Sequence, residues 1–138
     1  MPRAISKRPA GEGALLGEAE VQRLLLAASP RAPTGVRNRA LIALLYCSGL
    51  RIAEALGLRT DDCDLGSATL AVRGARKRTA HLFPAAAPYL ECWLALRTTL
   101  ELPARAPLFS PLAGEPLEPA YVRAMLARLA KRAGLGKR

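Results

Sequence analysis

One stretch of the chain, VRNRALIALLYCSGLRIAEALGL at residues 36–58, constrains the fold more than any other. Val36, Ala40, Leu44 and Cys47 recur at spacings of three or four, which is the period of a helical face. Gly49 stands where a left-handed C-terminal cap is wanted, so the long helix is expected to stop there. A shorter helix over Leu50–Leu58 follows, with Ile52, Ala55 and Leu56 turned inward.

The flanks extend the same pattern. LLGEAEVQRLLLAAS places Val21, Leu24 and Leu25 on one helical face, with Glu18 and Glu20 near its start, where the helix dipole favours anions. SPRAPTG is expected to be a loop and TDDCDLG a turn. ATLAVRG and HLFP are expected to form two antiparallel strands around the basic turn GARKRTA. AAAPYLECWLALRTTLE returns to helix, with Leu90, Trp93, Leu94 and Arg97 at helical spacing. The Pro-rich LPARAPLFSPLAGEPL is a connection in which LFS is expected as a short edge strand. A last helix begins near Pro119, a residue suited to a first helical position. The expected class is mainly α with a small antiparallel β-sheet (α+β). Residues 1–14 form a basic, flexible lead, and residues 15–138 a single domain.

Composition narrows the function. With 138 residues, 51% hydrophobic and 4% aromatic, the chain can build one core, packed mostly with Leu, Ala, Val and Ile. No apolar run approaches bilayer length and MPRAISKRPAGEGA has no apolar signal core, so a cytoplasmic protein with no membrane partner is expected. The 21 Lys+Arg against 11 Asp+Glu give a net charge of +10, which points to a polyanion as partner. Lysines are few, and part of the arginine content reads as background composition. The distribution is more telling, because no acidic residue follows Glu118 while Arg123, Arg128, Lys131, Arg132, Lys137 and Arg138 do. Cys47, Cys63 and Cys92 are odd in number and far apart, matching neither a disulfide framework nor a metal knuckle.

Several segments, in order, resemble the tyrosine recombinase (phage integrase) catalytic domain. The most specific is RNRALIALLYCSGLRIAEALGLRTDDCDL, which is similar to the family's segment around its first active-site arginine. LLGEAEVQRLL, the hairpin around Lys77, LFSPLAGEPL and YVRAMLARLAKRAGL follow in family order. The resemblance implies that Arg51 is the first catalytic arginine, Glu54 its supporting acid and Lys77 the hairpin lysine. Two departures accompany it. Gly74-Ala75-Arg76-Lys77-Arg78 stands where the family has Gly-Lys-Gly, so Ala75 falls at the lysine position without a gap. The His-x-x-Arg motif and the nucleophilic tyrosine of the family are not among these 138 residues, and the chain is read as the part of the domain that precedes them.

In the family, a tyrosine attacks a DNA phosphodiester and forms a 3'-phosphotyrosyl link. Guanidinium groups suit the transition state because they match its non-bridging oxygens bidentately and stay charged. A lysine can instead donate a proton to the leaving oxygen. By resemblance Arg51 clamps, Lys77 donates and Glu54 holds neighbours in place. No metal or nucleotide cofactor is needed, because the bond energy is kept in the protein link.

Each residue also has a plainer reading. Arg51 could be a dipole partner just past a helix-capping glycine, and Glu54 a solvated helix residue. Arg73, Arg76, Lys77 and Arg78 place four cations across six positions, which repel one another without an anion nearby, so a DNA-facing turn is expected. On the last helix Val122, Met125, Leu126 and Leu129 form the apolar face; Tyr121, Arg123, Arg128, Lys131 and Arg132 are the DNA-binding candidates. His81 is read as structural and Tyr46 as core. The leading expectation is the double-stranded-DNA-binding portion of a site-specific recombinase, nucleoid-associated and inactive by itself. It would pair with the remaining part of the recombinase or self-associate through an apolar face left open. The alternatives are a non-catalytic DNA-binding regulator and a basic nucleic-acid-associated structural protein.

Overall fold

The computed structural model describes residues 16–74, 76–103, 105–112 and 117–135. Residues 1–14, the expected lead, and Ala75 lie outside them. Among the described residues there are five α-helices and one small sheet; the helices are α1 (Glu18–Ala27), α2 (Pro33–Cys47), α3 (Ile52–Leu56), α4 (Ala87–Thr99) and α5 (Pro119–Arg132). The strands are β1 (Cys63–Asp64), β2 (Thr69–Val72) and β3 (Arg78–His81), antiparallel in the order β1-β2-β3. The class is therefore mainly α with a small antiparallel sheet, as the sequence predicts.

The central helix differs from its expectation. A single inward face is predicted for α2, yet 11 of its 15 residues are buried, including Arg37 and Asn38. It begins at Pro33, inside the expected loop, because Pro suits the first turn and Ser29 Oγ accepts the N–H groups of Arg31 and Ala32 just before it. Gly49 adopts φ 73° beyond its end, the left-handed residue the sequence calls for. Around α2 pack α1, α3 and α4, while α5 rests on α1 and α3.

The sheet gains a strand over the expected hairpin. TDDCDLG holds a 3-10 turn (Thr60–Asp62) and the two-residue β1, which pairs Cys63 with Leu70 and Asp64 with Thr69. Two residues are too few to show an alternating pattern, so only the pairing reveals them. In the hairpin Val72 faces Arg78, so Arg78 belongs to β3 and not to the turn.

The segment 107–110 is no edge strand. It is anchored by side-chain and backbone bonds: Trp93 Nε1 donates to the Leu108 carbonyl (2.8 Å), and Leu108 N–H to the Leu58 carbonyl (2.8 Å). Arg97, only 3% exposed, donates from Nη1 to the oxygens of Pro107 (3.0 Å), Leu108 (3.2 Å) and Ser110 Oγ (3.1 Å), and from Nη2 to Pro103 (2.8 Å). Hydrogen bonds from a charged donor are worth more than neutral ones, and losing this donor strands several buried acceptors. Arg97→Ala should therefore cost about 3 kcal/mol. Urea unfolding measures it; a change under about 0.5 kcal/mol would contradict the clamp.

Two long-range bonds tie α1 to α5. Arg23 Nη2 donates to the Ala133 carbonyl (2.7 Å) and Arg132 Nη1 to the Ala27 carbonyl (3.1 Å), so each helix has a guanidinium on its carbonyl end. Gly134 (φ 77°) ends α5, its N–H bonded to Lys131 and that of Leu135 to Ala130.

Among the described residues, the exposed large hydrophobics are Leu26 in α1, Leu65 in the turn after β1 and Leu100 just past α4, far apart in sequence. A groove of about 600 Å³ opens at the start of α1 and of α4, with Leu25, Cys47, Pro88 and Tyr89 in its lining. Among the described residues, no helix is long and apolar enough to cross a membrane.

Candidate nucleic-acid interface

Local sequence fixes the first part of the site. Arg51 is the N-cap of α3, with extended backbone (φ −80°, ψ 157°), and its N–H donates to Glu54 Oε1 three residues on (2.9 Å). That acidic side chain satisfies one of the free N–H groups at the helix start. The Arg51 side chain is left exposed.

Tertiary structure adds the second part. Arg78 Nη2 donates to Glu54 Oε1 (2.9 Å) and Arg78 Nε to Oε2 (3.4 Å), binding β3 to α3. Burial alone would raise the Glu54 carboxyl. The Arg78 hydrogen bond, the Arg51 N–H and the two guanidinium charges outweigh it and hold the pKa below the ordinary carboxylate value. Arg51, Glu54 and Arg78 thus form one cluster, with Glu54 ionised at neutral pH.

The loop before β3 is anchored at its other end. Arg73 Nε donates to Asp62 Oδ2 (2.7 Å), which also accepts the Arg59 N–H (2.9 Å). Burial again works to raise Asp62, and the Arg73 and Arg59 contacts again prevail and lower it. Between these anchors Arg76 and Lys77 are exposed. Two of the four cations expected in the turn, Arg73 and Arg78, are therefore paired with carboxylates of the chain itself.

On α5 the expected apolar face, Val122, Met125, Leu126 and Leu129, is buried. Arg123, Arg128 and Lys131 are exposed. Two other candidates are placed differently from expectation. Tyr121 is half-buried, its hydroxyl accepting from Arg37 Nη2 (3.5 Å) under a guanidinium 5.8 Å from the ring centroid. Arg132 turns back to the end of α1, as described above. Because α5 packs on α3 and Arg78 reaches Glu54, α3 is the element that both basic regions meet.

Sequence reasoning missed Arg37, which is 2% exposed. Its Nε and Nη2 donate to Asn38 Oδ1 (both 3.1 Å) and its Nη1 to the Ser110 carbonyl (3.1 Å). Through Tyr121 it braces the start of α5 against α2. The available signal was an Arg-Asn pair at the head of an otherwise apolar run. Burial first, then the nearby charge of Glu18 or Asp62, pushes the Cys47 and Cys63 thiols up to about 11, which disfavours the thiolate form. His81 is exposed and packs edge-on against Phe83 at 4.6 Å.

Chemically, this surface offers paired and exposed guanidinium groups around one carboxylate, next to the exposed cations Arg76 and Lys77. Such an array suits tetrahedral oxyanions of the phosphodiester kind. Comparison with known proteins agrees in class. Residues 15–138 match the model of the phage integrase family, and the chain belongs to that family.

The relatives it matches include tyrosine recombinases, and a solved neighbour is a site-specific recombinase. Tyrosine recombinase XerC 2 of Ralstonia nicotianae is 35% identical over 90% of this chain and 37% of its own length. Tyrosine recombinase XerC of Brucella suis is 40% identical over 72% of this chain and 32% of its own. Among solved structures, XerA recombinase superposes with TM-score 0.75 at 27% identity, over 88% of this chain and 44% of that one. XerH recombinase bound to its difH substrate superposes with TM-score 0.70 at 27% identity, over all of this chain and 40% of that one. The chain thus spans between 32% and 44% of the length of these proteins.

Proposed function

We propose that this chain supplies a DNA-backbone-binding part of a site-specific tyrosine recombinase. Arg51 clamps the phosphate to be cut, Lys77 is the proton donor of the hairpin and Glu54 positions Arg51. Arg73, Arg76, Arg78, Arg123, Arg128 and Lys131 hold flanking phosphates, while Tyr121 and Arg132 act by fixing α5. The observation that carries this reading is the cluster of Arg51, Glu54 and Arg78, which ties the basic hairpin to α3 within a recombinase fold. Double-stranded DNA is the partner, and a protein working on it resides with the nucleoid. Residues 15–138 form one unit of this function, with residues 1–14 a basic lead.

Binding is tested by fluorescence anisotropy with a labelled duplex across a salt series. Neutralised phosphates release condensed counterions, so affinity should fall with a log-log slope of about −0.9 per contact. A slope near zero would remove the proposal.

The 138-residue polypeptide is not expected to cut DNA alone. Tyr46 is buried, Tyr89 lines the apolar groove and Tyr121 is engaged by Arg37, so none is free to attack beside Arg51. A nicked suicide duplex followed by a denaturing gel should give no protein–DNA adduct. A covalent band mapped to any of these tyrosines would overturn their assignment.

A further inference from the structure

The Glu54–Arg78 pair has a geometry that a binding residue at rest does not require. Arg78 meets Glu54 with its Nε–Nη2 edge, two donors against two oxygens at 3.4 and 2.9 Å. A phosphodiester presents two equivalent oxygens to a guanidinium in the same manner. One edge can hold only one such partner. Glu54 Oε1 also takes the Arg51 N–H, so this carboxylate stands between the two guanidinium-bearing residues.

We propose that Glu54 is an internal stand-in for the DNA phosphate: it latches the β2–β3 hairpin to α3 through Arg78 in the free protein, and DNA displaces it from Arg78. The proposal rests on the DNA-binding reading above and adds a competitor to it. The pair is accessible to a ligand, with side chains 39% exposed for Arg78 and 20% for Glu54. A bridge so exposed is weak enough to exchange. The depressed Glu54 pKa keeps the carboxylate charged at neutral pH, so the competition is between two anions. On release, Arg78 gains a phosphate and Glu54 keeps its bond to the Arg51 N–H, which leaves the start of α3 intact. The hairpin with Arg76 and Lys77 is then free to follow the DNA.

The test is duplex affinity against salt for the full chain, with Glu54→Gln, Arg78→Ala and the double variant. Glutamine preserves an acceptor for the Arg51 N–H and removes the charge that competes. Glu54→Gln should bind roughly threefold to fivefold more tightly, with a slope steeper by up to about 0.9. The gain should vanish in the Arg78→Ala background and exceed that of Glu91→Gln, which removes an exposed acid of α4 and reports the general effect of charge. Tightening equal to that control, or persisting without Arg78, overturns the latch while leaving DNA binding in place. Weaker binding by Glu54→Gln also overturns it and leaves Glu54 as a positioning residue only. If no variant binds with salt dependence, both readings fall together. NMR of the unaltered chain gives a readout free of folding effects. The Arg78 Nε–H resonance and the Glu54 carboxyl carbon should both shift as duplex is added; an unmoved pair at saturation contradicts the exchange.

Discussion

Gly35→Ala should lower the stability of the chain by about 3 kcal/mol, an effect as large as that of removing the Arg97 clamp. A Cβ at this position would overlap the Ser29 carbonyl oxygen and lie 2.7 Å from both Ser29 N and Ser29 Cβ. Two of these three atoms are backbone, so no side-chain rotation relieves the overlap. The connection that must move is held by Ser29 Oγ, which accepts the N–H groups of Arg31 and Ala32 and fixes the entry to α2. Because α2 is buried on nearly every side, its first turn cannot retreat into the core. For a domain of this size the loss corresponds to a melting temperature lower by roughly 10 °C. Gly57→Ala is the matching control, since its nearest contacts are ordinary ones at 3.5 and 3.6 Å. It should be neutral or slightly stabilising. Thermal unfolding by circular dichroism compares the two, and equal melting points would show that the 28–32 connection yields freely.

The second large effect concerns binding. Replacing Arg76, Lys77 and Arg78 together by Ala should weaken duplex affinity by roughly two orders of magnitude at physiological salt, the sum of two to three lost phosphate contacts. Arg76 and Lys77 are exposed and carry no ion pair among the described residues, so their full charge is open to a ligand. Arg78 counts only to the extent that DNA takes it from Glu54. Arg128→Ala with Lys131→Ala should remove up to about two contacts, because both residues face outward from α5. Arg51→Ala should weaken binding less than either set, since it addresses a single phosphate.

The sequence was most legible where local rules decide. Pro119 at the start of α5 and its one-sided pattern of Val122, Met125, Leu126 and Leu129 give both the helix and its buried face. Gly49 marks the end of α2 through the left-handed conformation it alone takes easily. The Arg51–Glu54 contact spans only three residues, the reach of a single helical turn. What stayed hidden depends on partners far along the chain. Arg37 is buried because a carbonyl 73 residues away meets it, and a charged residue beside a polar one otherwise reads as surface. Arg78 and Glu54 are 24 positions apart, so the free turn of four cations inferred from spacing is in fact half paired. Tyr121 and Arg132 fall on the predicted wheel, yet long side chains at a helix flank can reach sideways to a neighbouring helix. β1 was too short to carry a period of its own.

The central claim is that the hairpin and α5 of this chain hold the backbone of duplex DNA. Its most direct test is the slope of log affinity against log salt for the unaltered chain and for the variant lacking Arg76, Lys77 and Arg78. The slope should be steep for the first and flatter by about two to three units for the second. Equal slopes for the two proteins would contradict it, and would show that the hairpin charge takes no part in holding DNA.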